Sequence, residues 1–247
     1  MESKFQLPTE TVELPSKGLL YPKDSPLSKG EIQMKYMTAK EEDILTNQNY
    51  IQKGTVIDKL LQSLIVTEGV DYNLLLIGDK NAIMVAARIL SYGKDYSFNY
   101  QGEETTVDLS TLDPKEIDFT KLEPGVNEFG FILPTSNYPI TFKLLTHEDE
   151  KKIDRELQGL KKINKDSSPE VTTRLKYMIT SVNGEKDPKD IRNFVDNFLL
   201  AKDARALREE YNRVSPDIDL TFNVEDENGV EQEVNIPIGV NFFWPDA

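Results

Sequence analysis

The 247-residue chain has no cysteine and a single histidine, His147. Without thiols it can form no disulfide, cysteine nucleophile or cysteine-held metal. One imidazole excludes any two-histidine metal site. Long hydrophobic runs are also missing. The longest, at 74–78 and 83–87, fall far short of the roughly 20 residues that span a bilayer. The opening MESKFQLPTETVELPSKG has no apolar core of the kind a secretory signal needs. Positive charge is scarce: 29 Lys and Arg against 43 Asp and Glu leave a net −14. Phosphate backbones and anionic lipids are repelled by such a chain, so neither nucleic acid nor membrane is expected as a partner. No phosphate-binding loop and no GxGxxG is present. DENG at 226–229 would put Val224 at the first ligand position of a calcium loop, so a hairpin turn is the simpler account. No cofactor is expected, and the chain is expected to be cytosolic where it is made.

What is present reads as an α+β protein. Pro8, Pro15, Pro22 and Pro26 forbid a helix in residues 1–30. This segment is expected to be an extended arm with a turn at Ser16-Lys17-Gly18, or else a disordered tail. Residues 31–37 alternate like a half-buried strand, and Thr38 with Glu41 forms a capping box opening a helix to about Asn47. Helices follow over 56–66 and 82–90, the latter with Asp79 as N-cap, then a hairpin over 96–100 and 105–109 with Gly102 in its turn.

The second half repeats the order: a strand over 138–145, a Thr146–Asp149 capping box with a helix toward Lys162, a loop at 163–169 and a helix over 171–180. A helix then starts at Asp187-Pro188 with Ile191, Phe194, Val195, Phe198 and Leu199 as its apolar face. A last hairpin, over 220–224 and 230–236, turns at Asn228-Gly229. An offset of 124 aligns 75–99 with 199–223 without a gap, pairing Leu75 with Leu199 and Asp79 with Asp203. An offset of 108 pairs Lys35, Thr38 and Glu42 with Lys143, Thr146 and Glu150, and one of 115 pairs Leu60 with Leu175. These matches point to an internal duplication: two related helical units, 31–110 and 137–247, each ending in a β-hairpin, joined by a linker at 111–136 and preceded by the arm at 1–30. The bland alternative is two unrelated α+β segments.

Candidate chemistry is thin. His147 reads as an exposed first-turn histidine, and the acidic runs read as helix-start and hairpin-tip residues. A carboxylate-based hydrolase is the remote alternative. Interleaved lysines at 151, 152, 161, 162 and 165 argue against an acidic mimic of DNA. What remains is recognition surface. An extended arm suits addition to a partner's sheet or groove, which nominates Leu14, Pro15, Gly18, Leu19, Tyr21 and Pro22. The terminal Phe242, Phe243 and Trp244 suit an interface hot spot or a fold-back onto the chain's own core.

These segments carry a resemblance. LPSKGLLYP (14–22), followed by a strand and MTAKEEDILTN (37–47), resembles the opening of the baseplate hub assembly proteins of T-even-type and other large contractile-tailed phages. LLLIGDKNAIMVAARILSYGKDYSF (74–98) and IPIGVNFFWP (236–245) are similar to that family too. The resemblance implies a non-enzymatic assembly factor or chaperone that binds hub or spike subunits in the host cytoplasm; the alternative is a permanent component of the virion baseplate hub. It supplies no catalytic residue and leaves oligomeric state open. Some members are expected to carry cysteine pairs in the hairpins that would bind zinc; here those turns read Gln101-Gly102-Glu103-Glu104 and 225–229, with no thiol.

Overall fold

The computed structural model describes residues 7–163, 169–225, 231–238 and 240–243. The fold is mixed helix and strand, with small antiparallel sheets rather than one large one. β1 (Thr9–Glu13) pairs with β2 (Glu31–Lys35), Val12 facing Ile32. The segment expected as an arm is extended over β1 but is built into this first sheet, because β2 needs an edge partner and the Leu14–Gly30 excursion returns the chain beside it. Its turn lies where expected, with Lys17 and Gly18 at positive φ. Gly18 is needed there for space as well: a Cβ would sit 2.5 Å from the Ser28 carbonyl oxygen.

The Thr38 capping box is present, and Glu41 accepts from the Thr38 amide at 3.0 Å and hydroxyl at 2.6 Å. The helix it opens, α1 (Ala39–Leu45), stops short of Asn47. Asn47 instead caps a new short helix, α2 (Gln48–Gln52), by accepting from the amides of Asn49 and Tyr50. α3 (Val56–Leu64) buries Val56, Leu60, Leu61 and Leu64. The chain after it bridges to β2, Met34 opposite Ile65. α4 (Ile77–Tyr92) begins earlier than expected, so Asp79 is its third residue and not its N-cap. β3 (Asp95–Tyr100) and β4 (Glu103–Asp108) then form the expected hairpin, with Gln101 and Gly102 both at positive φ.

In the second half, the stretch read as a linker holds β5 (Phe129–Ile132), which pairs with β6 (Pro139–Phe142). Phe129 and Phe131 alternate with Gly130, a signal too short to register among prolines. The strand expected over 138–145 is only β6: the Lys143 amide still donates to the Met178 carbonyl at 2.8 Å, but the Leu144 amide turns to the Asn127 side chain. α5 (His147–Ile163) follows its capping box, then α6 (Glu170–Met178). The helix expected to reach residue 180 ends at Met178, where the chain becomes β7 (Ile179–Val182) and adds to β6. α7 (Pro188–Asn197) is capped by Asp187, α8 is Ala201–Val214, and β8 (Thr221–Glu225) pairs with β9 (Glu231–Asn235). The Asn228-Gly229 turn, and residues 164–168 of the expected loop, lie outside the described residues.

Both halves open with two paired strands and a capping box and end with a long helix and a hairpin, but between these the first half has only a single bridge at Ile65 where the second has β7 and α7. Their buried residues form one continuous core, from Leu14 and Leu20 through Leu75 and Ile83 to Phe142, Leu207 and Phe243. Among the described residues no helix is long and apolar enough to cross a membrane.

Candidate functional site

The proposed contact residues of the arm are mostly spent inside the chain. Leu14, Pro15, Gly18 and Tyr21 are buried, Leu19 is half-buried and Pro22 is exposed. The reason is Asp79. Its Oδ1 accepts from the Ser16 amide at 2.9 Å, and its Oδ2 accepts from the Ser16 hydroxyl at 2.7 Å and the Tyr21 hydroxyl at 2.6 Å. Tyr21 Oη in turn accepts from the Leu76 amide at 2.9 Å. One carboxylate therefore clasps the N-terminal turn onto the start of α4. Burial pushes the Asp79 carboxyl above its ordinary range, against the pull of these donors.

α8 is built the same way. Leu76 and Leu200, each preceding its helix, share an extended backbone (φ −63, ψ 147 and φ −68, ψ 147). Asp203, placed as Asp79 is, accepts from the amides of Thr135 at 2.7 Å and Ser136 at 3.0 Å. The turn it holds reads Leu133-Pro134-Thr135-Ser136-Asn137, against Leu14-Pro15-Ser16-Lys17-Gly18 in the first half. Burial opposes ionisation of Asp203 too, but the Ser136 and Thr135 donors outweigh it and hold the carboxyl below its ordinary value. The pairing of Asp79 with Asp203 was visible in sequence; their job of gripping a Leu-Pro turn was not.

At the C-terminus, Phe242 and Phe243 are buried, Phe242 edge-on to Tyr96 with centroids 4.8 Å apart. They fold back onto the first hairpin, the second of the two readings left open. Trp244 lies outside the described residues.

The two halves meet at a joint centred on His147, which is only 3 % exposed rather than solvated. Leu75–Ile77 lies beside residues 145–147: the Ile77 amide donates to the Leu145 carbonyl at 3.3 Å, and the His147 amide to that of Leu75 at 2.8 Å. The imidazole enters a pocket of Tyr72, Asp58 and Lys80, with Lys80 Nζ 3.3 Å from Nδ1 and Asp58 Oδ2 3.3 Å from Nε2. Desolvation first, then the Lys80 charge, lowers its pKa to about 4. In neutral His147, Nδ1 accepts from Lys80 and Nε2 faces the Asp58 carboxylate. The folded pKa lies below the ordinary 6.5, so its contribution is complete above pH 6.5 and lost as pH falls through about 4. The loss should approach about 3 kcal/mol. Asp79 and Asp217, both raised by burial, change in the opposite sense on acidification. His147→Gln removes the histidine share and should flatten the acid side of the stability curve. As the only histidine, His147 gives one pair of ring C–H signals by NMR; they should titrate near pH 4, and a midpoint at 6.5 would refute the buried pocket.

Several residues of the acidic runs have structural partners. Glu41 caps α1, takes Lys35 at 2.9 Å and Ser63 at 2.8 Å, and is held down to about 2 by these donors despite burial. Asp149 caps α5 and takes Lys143 at 2.8 Å. Glu150 binds Arg174, and Glu156 binds Arg192. Asp217 lines a cleft of ≈ 400 Å³, its carboxylate accepting from Asn81 and the Ile218 amide. Among the described residues no group of three or more acids or imidazoles is placed to hold a metal ion, and the β3–β4 turn offers zinc no thiol.

Sequence reasoning missed the apolar surface that stays exposed. Phe198, counted with the buried face of α7, is 59 % exposed because the helix ends at Asn197 and its periodicity lapses. Leu200, Ile132 and Tyr138 are exposed too, and Tyr138 packs edge-on to Phe194 at 5.7 Å.

A family model described as T4 bacteriophage base plate protein matches residues 8–244. No curated protein and no solved structure matches the chain.

Proposed function

The chain belongs to the T4 bacteriophage base plate protein family, and from that premise we propose that it is a non-enzymatic assembly protein of the baseplate hub. In this reading it binds hub or spike subunits in the host cytoplasm and holds their apolar or strand-edge surface until the next subunit arrives. The observation that carries it is the family match over nearly the whole chain. A binding role rather than hydrolysis is supported by how the carboxylates are engaged: Glu41 and Asp149 cap helices, while Glu150 and Glu156 hold arginines. The shared Leu-Pro turn, buried aspartate and Lys-to-cap ion pair of the two halves support the reading that they are copies of one unit.

Co-expression with hub proteins of the same phage, followed by affinity capture and sizing, tests the proposal. A stable complex is expected, and a free monomer that captures none of them would overturn it. Mass spectrometry of purified particles separates the two forms of the role. An assembly factor that leaves is missing from particles, whereas a permanent hub component is present at fixed stoichiometry.

A further inference from the structure

The sheets that open the two halves share one register. In the second, Phe129 faces Phe142 and Phe131 faces Ile140; in the first, Glu10 faces Met34 and Val12 faces Ile32. The offset of 108 that pairs the capping boxes also pairs Ile32 with Ile140 and Met34 with Phe142. β1 therefore stands where β5 stands, with Glu10 and Val12 in the places of Phe129 and Phe131. That difference removes most of what holds the strand. Phe129 stacks on Phe142 with centroids 5.4 Å apart, and both phenylalanines of β5 pack on the core. In β1 only Val12 is half-buried, while Thr9, Glu10, Thr11 and Glu13 are exposed.

The side-chain bonds of β1 are solvated ones. The Tyr36 hydroxyl donates to the Glu10 carboxylate at 3.1 Å, and Gln33 Nε2 donates to the Thr11 hydroxyl at 2.5 Å. The Tyr36 amide donates to the Pro8 carbonyl and the Leu14 amide to the Gly30 carbonyl. By the alternation of an antiparallel pair, Glu10 and Val12 are the bonded positions between them. In the other sheet the Leu133 amide donates to the Tyr138 carbonyl, which makes Phe129 and Phe131 the bonded positions of β5. The character of the first segment changes abruptly at Leu14, which is 2 % exposed. Ser16 just beyond is buried and held by both oxygens of Asp79. Opening from Thr9 has little to overcome before Leu14 and much beyond it.

We propose that β1 is a detachable strap, which opens as a unit hinged at Leu14 while the Asp79 clasp and the core stay closed. Opening gives up the ladder to β2 and the cover of one half-buried valine. It uncovers the backbone groups of Ile32 and Met34. β2 itself stays in place, because those two side chains are buried and Met34 also bridges to Ile65 on the far side. What opens is thus a formed strand edge in a folded protein. The same slot is closed firmly in the second half, by Phe129 and Phe131, and loosely in the first. The inference is independent of what the chain binds.

Hydrogen exchange of the full chain, read residue by residue by NMR, compares the two strands within one molecule. The Glu10 and Val12 amides should exchange at least about a hundredfold faster than those of Phe129 and Phe131, and faster by a similar factor than the Ser16 amide beyond the hinge. Glu10→Phe gives β1 the side chain that β5 has at the same place, opposite Met34. It should slow the amides at positions 10 and 12 several-fold and leave that of Ser16 as it was. Equal protection of β1 and β5 would overturn the strap. So would a Ser16 amide that exchanges in step with Val12, since the opening would then run through the clasp. A Glu10→Phe chain whose β1 exchanges as fast as the parent's would overturn the anchoring argument and the proposal with it.

Discussion

Gly78→Ala is expected to destabilise the chain by at least about 3 kcal/mol, beyond the usual range for an added methyl, because backbone and not a flexible side chain stands in its way. The new Cβ would lie 1.9 Å from the Pro216 carbonyl oxygen and 2.8 Å from Asp217 Cα. That segment cannot simply retreat. Asn81 holds the Asp217 carboxylate, the Lys115 amide donates to the Asp217 carbonyl at 2.7 Å, and the Asp219 amide donates to Asp113 at 2.8 Å. Relief would have to come from sliding α4 away from the second half, which strains the His147 pocket. Thermal melting should fall by roughly 6–12 °C for a chain of this size. Lys202→Ala, at the corresponding position of α8, should stay within about 0.5 kcal/mol of the parent. Equal melts for the parent and Gly78→Ala would mean that the halves do not meet as described.

Asp79→Ala should cost about 3–5 kcal/mol, since it leaves the Ser16 amide, the Ser16 hydroxyl and the Tyr21 hydroxyl without their acceptor inside the protein. Asp79→Asn should be much milder. Its carbonyl oxygen can still serve the Ser16 amide, and it removes a buried charge that the site tolerates poorly, as the raised carboxyl indicates. The order Asp, then Asn, then Ala in chemical denaturation is the expected result. Limited tryptic cleavage at Lys17, exposed at the tip of the clasped turn, should quicken in Asp79→Ala before global unfolding. If Asn and Ala were equally damaging, the charge itself, not the acceptor geometry, would be what holds the turn.

Much of the local structure was legible because it depends on neighbours in sequence. Both capping boxes, Asp187-Pro188, the Gln101-Gly102 turn and the apolar stripe of α3 are short-range signals whose chemistry is complete within a few residues. What failed was long-range. Asp79 looked like an N-cap because an acid ahead of an apolar run usually is one; its true partners are about 60 residues earlier in the chain. His147 looked exposed because nothing nearby in sequence could bury it; Tyr72, Asp58 and Lys80 do so from the other half. The arm was read as free because its apolar residues had no local partner. Strand β5 was hidden because its pairing is with β6, across a turn whose Thr135 and Ser136 amides are taken up by the distant Asp203.

The joint also sets a clock on synthesis. The Leu75 carbonyl and the Ile77 amide have no partner until residues 145–147 exist. At the usual rate of chain elongation those 70 residues take about 4–14 s to make. For that interval the nascent first half presents on the ribosome the same bare Leu-Leu strand that the finished protein keeps at 199–201.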